Sequence, residues 1–295
     1  MYDINSTIKV NNLNEALKFI SCNENITIVA GGTDVLIRMK GRKLKDAMLL
    51  SILDLDELKG IEVDDKNAII IKAATCFSDI AVNSIINERI PMLAESVNQV
   101  GSPQIRNIAT IGGNICNGAV SADSVPSLLA LEALLELKSN SNTRVVPIND
   151  FFMGPGKTIL KSDEILTRII IPYESYNSCG SKYIKFGQRN AMEISTLGCA
   201  VNVKLDKNKS YIDKIRIAFG VAAPKPIRCY KLEEMLQGKE VGKDIFDIIQ
   251  KNVLKELSPR DSWRASKELR IQLIKELSKR ATKQAIYQAG GKYYD

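Results

Sequence analysis

The chain has 295 residues, of which 45% are hydrophobic and 25% are charged, and its formal net charge is +7. This length exceeds that of one ordinary domain, so we expect two or three compact units with separate cores. No apolar run approaches the roughly 20 residues that cross a bilayer, and the amino terminus lacks the pattern of a secretory signal. We therefore expect a cytoplasmic protein without a membrane partner.

Histidine is absent, which excludes Ser-His-Asp and Cys-His catalysis, histidine zinc motifs and any cofactor tethered through imidazole. The six cysteines are spread along the chain, whereas zinc and iron–sulfur sites usually bring two ligands within a few residues. We predict no metal site and no catalytic side chain. Such a composition favours a protein that carries a bound cofactor.

The first part of the chain predicts a small α/β unit. Asn12 and Glu15 form a capping-box pattern that opens a helix, and a strand is expected over 26–30. The segment 31–34 (GGTD) ends that strand and opens a second helix. The apolar run 47–53 predicts the next strand.

The middle of the chain has a different pattern, with more strands and a glycine-rich centre. Its expected elements are a strand over 67–75, a helix over 78–87, a helix after Pro91, a buried helix or helix and strand over 126–137, and a strand over 165–171.

Beyond residue 174 the pattern changes again. Residues 174–181 (ESYNSCGS) are polar and turn-forming, so we interpret them as a linker. The runs 197–205 and 211–222 flank a polar turn and predict a hairpin. Two helices are expected over 244–257 and 267–289.

Residues 251–283 are strongly basic, with ten Lys or Arg residues against four acids. Nucleic-acid binding is one interpretation of such a stretch. A solvated helical face or a surface for a protein partner is the other, and we favour it because Trp263 is the only aromatic residue there. We predict no nucleic acid partner.

Two glycine pairs, at 31–32 and 112–113, each follow an apolar run. Neither belongs to a P-loop or a GxGxxG motif. Glycine lets backbone N–H groups approach an anion, so two such turns suit one pyrophosphate. Thr33 and Asp34 follow the first pair and Asn114 follows the second, which adds polar groups. The residues alone leave two interpretations of these glycine pairs open, namely simple turns or a site for a phosphate-bearing cofactor.

Four strings in order resemble the motifs of FAD-binding subunits of molybdenum hydroxylases. They are VAGGTDVL (29–36), ATIGGNICNGAVSADSVPSLLAL (109–131), FFMGPGKTILKSDEIL (151–166) and RNAMEIST (189–196). The shorter strings GSPQIRN, NICNGA, AFGVAAPKPIRC and SWRASKE are similar to those of the bacterial xanthine dehydrogenase branch. The resemblance covers nearly the whole chain.

The resemblance implies an α+β fold. It consists of a two-subdomain FAD-binding fold of the vanillyl-alcohol oxidase type, followed by an α+β domain with a small antiparallel sheet and helices. The FAD-binding domain is expected over 1–175, with subdomains of about 1–57 and 58–175. The C-terminal domain of molybdenum hydroxylase flavoproteins is expected over 176–295.

The resemblance also implies one non-covalently bound FAD and its contacts. The segment 28–35 wraps the pyrophosphate, 110–114 contacts phosphate and ribityl groups, and Asp123 binds ribose hydroxyls. Leu166 packs on the isoalloxazine ring and Lys185 reaches its polar edge. Val100 stands where relatives have a ring-facing aromatic residue. The full set is Ile28, Val29, Ala30, Gly31, Gly32, Thr33, Asp34, Val35, Val100, Thr110, Ile111, Gly112, Gly113, Asn114, Asp123, Leu166 and Lys185.

Three of these residues have simpler alternatives. Asp123 could be the N-cap of the helix that follows it, a role in which aspartate is common. Leu166 is expected to be both a core residue and a ring contact, and Lys185 could be a solvated lysine on a strand.

For function, the resemblance implies an electron relay. A molybdenum-cofactor subunit hydroxylates a purine, an iron–sulfur subunit with 2Fe-2S clusters passes the electrons on, and the FAD of this chain reduces NAD+. The alternatives are the FAD subunit of a nicotinate, aldehyde or carbon monoxide dehydrogenase, a stand-alone flavin oxidase, and a non-enzymatic scaffold.

Overall fold

The structure is a computed structural model that describes residues 2–189 and 191–292. Asn190, which belongs to the string RNAMEIST, lies outside the described residues. Within the described chain, no helix combines the length and the apolar character that crossing a membrane requires.

The chain begins with a three-stranded parallel sheet in the order β1-β3-β2. Its elements are β1 (Ile4–Lys9), α1 (Leu13–Cys22), β2 (Ile26–Val29), α2 (Val35–Lys40) and β3 (Ala47–Ser51). The predicted helix start is confirmed, because the side chain of Asn12 accepts a hydrogen bond from the backbone of Glu15 at 2.8 Å. Strand β1 is not predicted from the sequence, because it has few apolar residues and forms an edge of the sheet.

A five-stranded antiparallel sheet follows, in the order β4-β5-β10-β6-β7, with helices between its strands. The elements of this part of the chain are β4 (Ile61–Val63), β5 (Ile69–Lys72), α3 (Phe77–Val82), α4 (Ser84–Arg89), α5 (Pro91–Asn98), α6 (Pro103–Arg106), α7 (Ile111–Cys116), α8 (Ser124–Ala130), β6 (Leu134–Lys138), β7 (Thr143–Pro147), α9 (Ile148–Phe151), β8 (Phe152–Gly154), β9 (Lys157–Thr158) and β10 (Ile165–Ile171). Strands β8 and β9 pair with each other in a separate two-stranded sheet.

The helix predicted over 78–87 is two helices, α3 and α4, which meet at Asn83. The side chain of Asn83 accepts a hydrogen bond from the backbone of Ile86 at 3.2 Å and so caps α4. This local bond competes with a continuous helix, which explains the break. The predicted strand over 165–171 is confirmed as β10.

The last part of the chain is a four-stranded antiparallel sheet in the order β11-β12-β13-β14, covered by helices. Its elements are β11 (Cys179–Phe186), β12 (Leu197–Leu205), β13 (Ile212–Gly220), β14 (Ile227–Arg228), α10 (Tyr230–Leu236), α11 (Lys243–Asn252) and α12 (Lys267–Gln288). The predicted hairpin is confirmed as β12 and β13, and the two predicted helices correspond to α11 and α12.

The linker predicted over 174–181 is wrong. A short 3-10 helix covers Tyr173–Ser175, and β11 already begins at Cys179. This segment is packed closely against the rest of the protein. Gly180 faces α12 so closely that a Cβ would overlap the backbone at Ala285. The carbonyl of Ser175 accepts a hydrogen bond from the buried side chain of Asn202 at 2.6 Å.

The last sheet is buried on both faces. Helix α12 packs on one face of β11 and β12, while α5 and α8 pack on the other face. Residues of β12 alternate between the two cores, with Cys199 and Val201 facing the helical side and Ala200 facing the earlier part of the chain. A strand covered on both faces has no polar side, which explains its continuous apolar run.

Glu132, in the turn between α8 and β6, connects the earlier part of the chain to the last sheet. Its carboxylate lies 2.5 Å from Arg216, 2.9 Å from Arg228 and 3.1 Å from Lys214. The side chain of Arg216 is 1% exposed. Burial opposes the charge of Glu132, but its hydrogen bonds to Arg216 and Arg228 and their positive charges hold the pKa of its carboxyl at about 2.

We expect Glu132→Gln to lower the free energy of unfolding at pH 7 by about 3 kcal/mol, because Arg216 then stays buried without its counter-charge. The pKa of Glu132 is depressed from 4.5, so its stabilising effect is complete above that pH and is lost as the pH falls through about 2. Urea unfolding at several pH values from 7 downwards measures this.

The difference between Glu132→Gln and the parent chain should therefore shrink below pH 4.5. Glu276→Gln is the control, because it breaks an exposed pair with Arg280 that contributes little. A difference for Glu132→Gln that stays constant down to the acid limit contradicts the assignment.

Candidate functional site

The turn between β2 and α2 exposes a row of backbone donors. Gly32 has φ +71°, a left-handed conformation that favours glycine. A Cβ on Gly31 would overlap the carbonyl oxygen of Ile108, so the turn lies directly against that segment. Within the described residues, no protein group accepts a hydrogen bond from the N–H groups of 31–35. Consecutive unpaired N–H groups at a helix start suit an anion.

The second glycine pair has a different role. Ile111 and Gly112 donate their N–H groups to carbonyl oxygens of the segment 73–75, at 3.1 and 2.8 Å. The N–H of Gly113 bonds the Thr110 side chain at 3.1 Å. A Cβ on Gly112 would come within 2.6 Å of the facing carbonyl oxygen. This pair therefore allows close packing, and only the first turn keeps its donors unpaired.

The second turn continues into α7, which connects two further predicted residues. Asn114 on α7 accepts a hydrogen bond from Ser124 at 2.7 Å, and Ser124 begins α8 next to Asp123. Helix α7 also packs against β10, which carries Leu166. Leu166 is 3% exposed and belongs to the main core, as expected, and its contact with the ring stays a prediction.

Asp123 accepts three hydrogen bonds inside the protein. Its donors are the hydroxyl of Tyr183 at 2.9 Å, the ammonium of Lys185 at 2.9 Å and the hydroxyl of Ser195. The side chains of Asp123 and Lys185 are 7% and 8% exposed. Asp123 precedes α8 but makes no capping bond to it. The N-cap alternative is therefore wrong, because the carboxylate is bonded to residues from distant parts of the chain.

Lys185 is fully engaged as well. Besides Asp123, its ammonium donates to the carbonyl oxygens of Gln99 at 2.8 Å and Glu193 at 2.7 Å. The alternative of a solvated lysine is therefore wrong. Gln99 precedes Val100, which is half-buried against the main core.

Burial dominates the electrostatics of this cluster. It raises the pKa of the Asp123 carboxyl, while the charge of Lys185 and the hydrogen bonds from Lys185, Ser195 and Tyr183 act in the opposite direction. Burial and then the negative charge of Asp123 raise the pKa of the Tyr183 hydroxyl well above its ordinary value. Tyr183 therefore keeps its proton and remains a donor to Asp123 near neutral pH.

The structure brings the predicted residues into one region. The first turn lies against Ile108 and Ala109, which lead into Thr110, and hydrogen bonds continue from Asn114 towards Asp123 and Lys185. The sequence alone does not predict three residues of the cluster around Asp123 and Lys185, namely Tyr183, Ser195 and Glu193. Tyr183 could have been found from its spacing, since it lies two residues before Lys185 on β11 and shares its face. In the described part of the chain, no group of acidic or cysteine residues could hold a metal ion.

The first turn has the features that bind the pyrophosphate of a dinucleotide cofactor. It offers unpaired N–H groups, and glycines at 31 and 32 leave its backbone without side chains at the point of approach. The residues present therefore fit FAD.

Two family descriptions match the chain. The FAD binding domain in molybdopterin dehydrogenase matches residues 3–174, and the CO dehydrogenase flavoprotein C-terminal domain matches residues 182–285. Fold and site together define a flavin-binding protein. The chain belongs to the FAD-binding family of the molybdopterin dehydrogenases.

Individual relatives agree with this. The chain is 40% identical, over 99% of both chains, to the xanthine dehydrogenase FAD-binding subunit of Escherichia coli O157:H7. It is 31% identical to the glyceraldehyde dehydrogenase medium chain of Sulfolobus acidocaldarius, over 95% of this chain and 97% of that one. A carbon monoxide dehydrogenase structure from Hydrogenophaga pseudoflava matches with TM-score 0.92 and 26% identity, over 98% and 99% of the two chains. The predicted α+β fold class is confirmed.

We expect Gly31→Ala to lower both flavin content and stability, because the added Cβ overlaps the carbonyl of Ile108 and pushes the two segments apart. Gly154→Ala is the matched control, since a Cβ there has no atom within 4 Å. The flavin-to-protein absorbance ratio and the thermal midpoint measure the effect. A Gly31→Ala protein with the control's ratio and midpoint contradicts this site.

Proposed function

We propose that the chain is the FAD-carrying electron-transfer subunit of a xanthine dehydrogenase-type complex. It receives electrons from the 2Fe-2S clusters of a partner subunit, which in turn serves a molybdenum-cofactor subunit that hydroxylates a purine. NAD+ is the final acceptor. The identity of 40% to a xanthine dehydrogenase FAD-binding subunit, over nearly the whole of both chains, supports this choice within the family.

The observation that carries the proposal is the first glycine turn, whose N–H groups over 31–35 have no acceptor among the described residues and lie beside the start of α2. Our proposal is that these donors hold the FAD pyrophosphate, with the strand end at 28–30 as their support. Thr110–Asn114 then borders the phosphate and ribityl groups, with the Asn114 amide free to donate. The same proposal includes an FAD-binding domain over 1–175 and a C-terminal domain over 176–295.

When bound, FAD supplies the redox chemistry between the iron–sulfur subunit and NAD+. The residues of this chain bind and orient it, and none is proposed as an acid or base. Asp123 fixes the ammonium of Lys185, whose charge favours a ligand that becomes more negative on reduction. Leu166 and Val100 supply apolar surface for the ring. We also propose a cytoplasmic protein with no nucleic acid or membrane partner.

A sister enzyme of the same family is the second candidate. The chain is 35% identical to the nicotinate dehydrogenase FAD-subunit of Eubacterium barkeri, over 72% of this chain and 71% of that one. It is also 30% identical to a carbon monoxide dehydrogenase medium chain. Assaying the assembled complex with nicotinate, aldehydes and carbon monoxide beside xanthine separates these candidates.

We expect acid precipitation to release the flavin into the supernatant. The chain has no histidine, and none of the strings that resemble the family presents a cysteine or tyrosine as a covalent tether. In the site itself, the hydroxyl of Tyr183 is engaged with Asp123. The visible spectra of supernatant and pellet measure this. Yellow colour that remains with the pellet contradicts non-covalent binding.

The isolated chain should oxidise NADH with an artificial acceptor, and NADH should bleach its bound flavin. It should not turn over xanthine, because the described residues offer no set of ligands for a metal or cluster. Adding the iron–sulfur and molybdenum subunits should restore xanthine-dependent reduction of NAD+. Xanthine turnover by the chain alone, or flavin that NADH leaves oxidised, contradicts this assignment.

A further inference from the structure

A small polar cavity lies near the Asp123–Lys185 pair, where the start of α12 meets the loops at 120–121 and 221–223. Its volume is about 80 Å³, several times what one water molecule requires. Three arginine residues, Arg260, Arg264 and Arg270, line it, and we call it the three-arginine cavity. Serine hydroxyls complete its polar wall.

The positive charge around this cavity has no matching negative charge. Arg270 is 2% exposed, and its guanidinium donates to Ser262 at 2.7 Å and to the carbonyl oxygens of Arg260 and Thr196, all of them neutral groups. Over the described chain, no carboxylate forms an ion pair with Arg260, Arg264 or Arg270. Clustered arginines without a carboxylate are a common arrangement for binding phosphate.

The nearest acid, Asp261, forms no ion pair with these arginines among the described residues. Asp261 follows Arg260, but its carboxylate accepts a hydrogen bond from the backbone of Lys267 at 2.7 Å. Burial first, and then repulsion from the positive charges of Arg260 and Arg264, lower the pKa of Arg270, while the negative charge of Asp261 acts in the opposite direction. A bound anion would relieve that repulsion.

The backbone of the cavity wall is strained. Val221 has φ +66°, a left-handed conformation that is costly for a β-branched residue. Its N–H donates to the carbonyl of Val120 at 3.1 Å, and Ser258 donates to the carbonyl of Ala222 at 3.0 Å. These bonds hold the loops against the cavity. Strain of this kind persists where the surrounding structure enforces it, and it is concentrated at functional sites.

Two contacts relate the cavity to a nucleotide. Ser195 lines the cavity and also donates to Asp123, so the cavity adjoins the Asp123–Lys185 pair. Trp263 is 82% exposed, and the guanidinium of Arg264 lies 4.3 Å from the centre of its ring. An exposed aromatic ring beside a phosphate site is a stacking surface for a base.

We propose that the three-arginine cavity binds a phosphate group of a nucleotide other than FAD, with Trp263 as the surface for its base. The site itself follows from the charges and the cavity. Its use by the electron acceptor rests on the proposed function, since NAD+ is a nucleotide that carries two phosphate groups.

Titration of the FAD-loaded full chain tests this with inorganic phosphate and with ADP as separate probes. Trp263 is the only tryptophan of the chain, so its fluorescence reports on the cavity directly, and calorimetry gives the affinities. We expect both probes to bind, with ADP the tighter. Arg260→Gln and Arg264→Gln should each weaken ADP binding by at least about tenfold, because each removes a charged donor.

Two variants serve as controls. Arg264→Lys keeps the charge and should retain most of the affinity, while Arg280→Gln makes the same charge change on the exposed face of α12 and should have no effect. Equal affinity in all variants, or no binding of either probe, overturns the site. Phosphate and ADP bound with equal affinity overturns the nucleotide part in favour of a free-phosphate site.

Reduction of the flavin by NADH, followed in the same variants, separates this inference from the proposed function. If Arg264→Gln weakens ADP binding and raises the NADH concentration needed for half-maximal reduction, both proposals are supported. If ADP binding depends on Arg264 but NADH never reduces the flavin, the anion site stands and the acceptor assignment fails. If NADH reduces every variant alike, the cavity does not serve the acceptor.

Discussion

The close approach of the turn at Gly31 to the backbone of Ile108 is the constraint on which the site depends. No side chain fits between the two segments, so glycine is required where β2 ends. This contact brings the first turn, with its unpaired N–H groups, next to the segment that leads into α7. Because α7 is in turn fixed by bonds to the carbonyls of 73–75, the first turn is positioned by the core of the five-stranded sheet and not by its own short helix.

Helix α8 connects this arrangement to the last sheet, because hydrogen bonds and ion pairs hold the residues at both of its ends. Asp123 precedes it and is bonded to Tyr183, Lys185 and Ser195, while Glu132 follows it and pairs with arginines on β13 and β14. Both sets of bonds are largely buried, so breaking either leaves an unpaired charge inside the protein. Helix α8 therefore joins the proposed flavin site to the C-terminal sheet, and the three-arginine cavity lies beside that junction.

Local signals in the sequence predict much of this molecule. The cap at Asn12, the hairpin of β12 and β13 and the left-handed turn at Gly32 each depend on neighbouring residues, and the structure contains them. Features that depend on distant partners could not be predicted. The N–H groups of Ile111 and Gly112 donate to carbonyls nearly forty residues earlier, and Asp123 is bonded to residues about sixty to seventy positions later. Sequence spacing carries no record of such contacts, so Asp123 resembles a helix cap and the second turn resembles an anion nest.

Amide hydrogen exchange with and without FAD tests the central claim most directly, because the two glycine turns differ in one observable property. The N–H groups over 31–35 have no protein acceptor among the described residues, whereas those of Ile111, Gly112 and Gly113 are already bonded within the chain. The account predicts that FAD slows exchange strongly over 31–35 and changes it little over 111–113. Exchange over 31–35 that is unaffected by saturating FAD would contradict it.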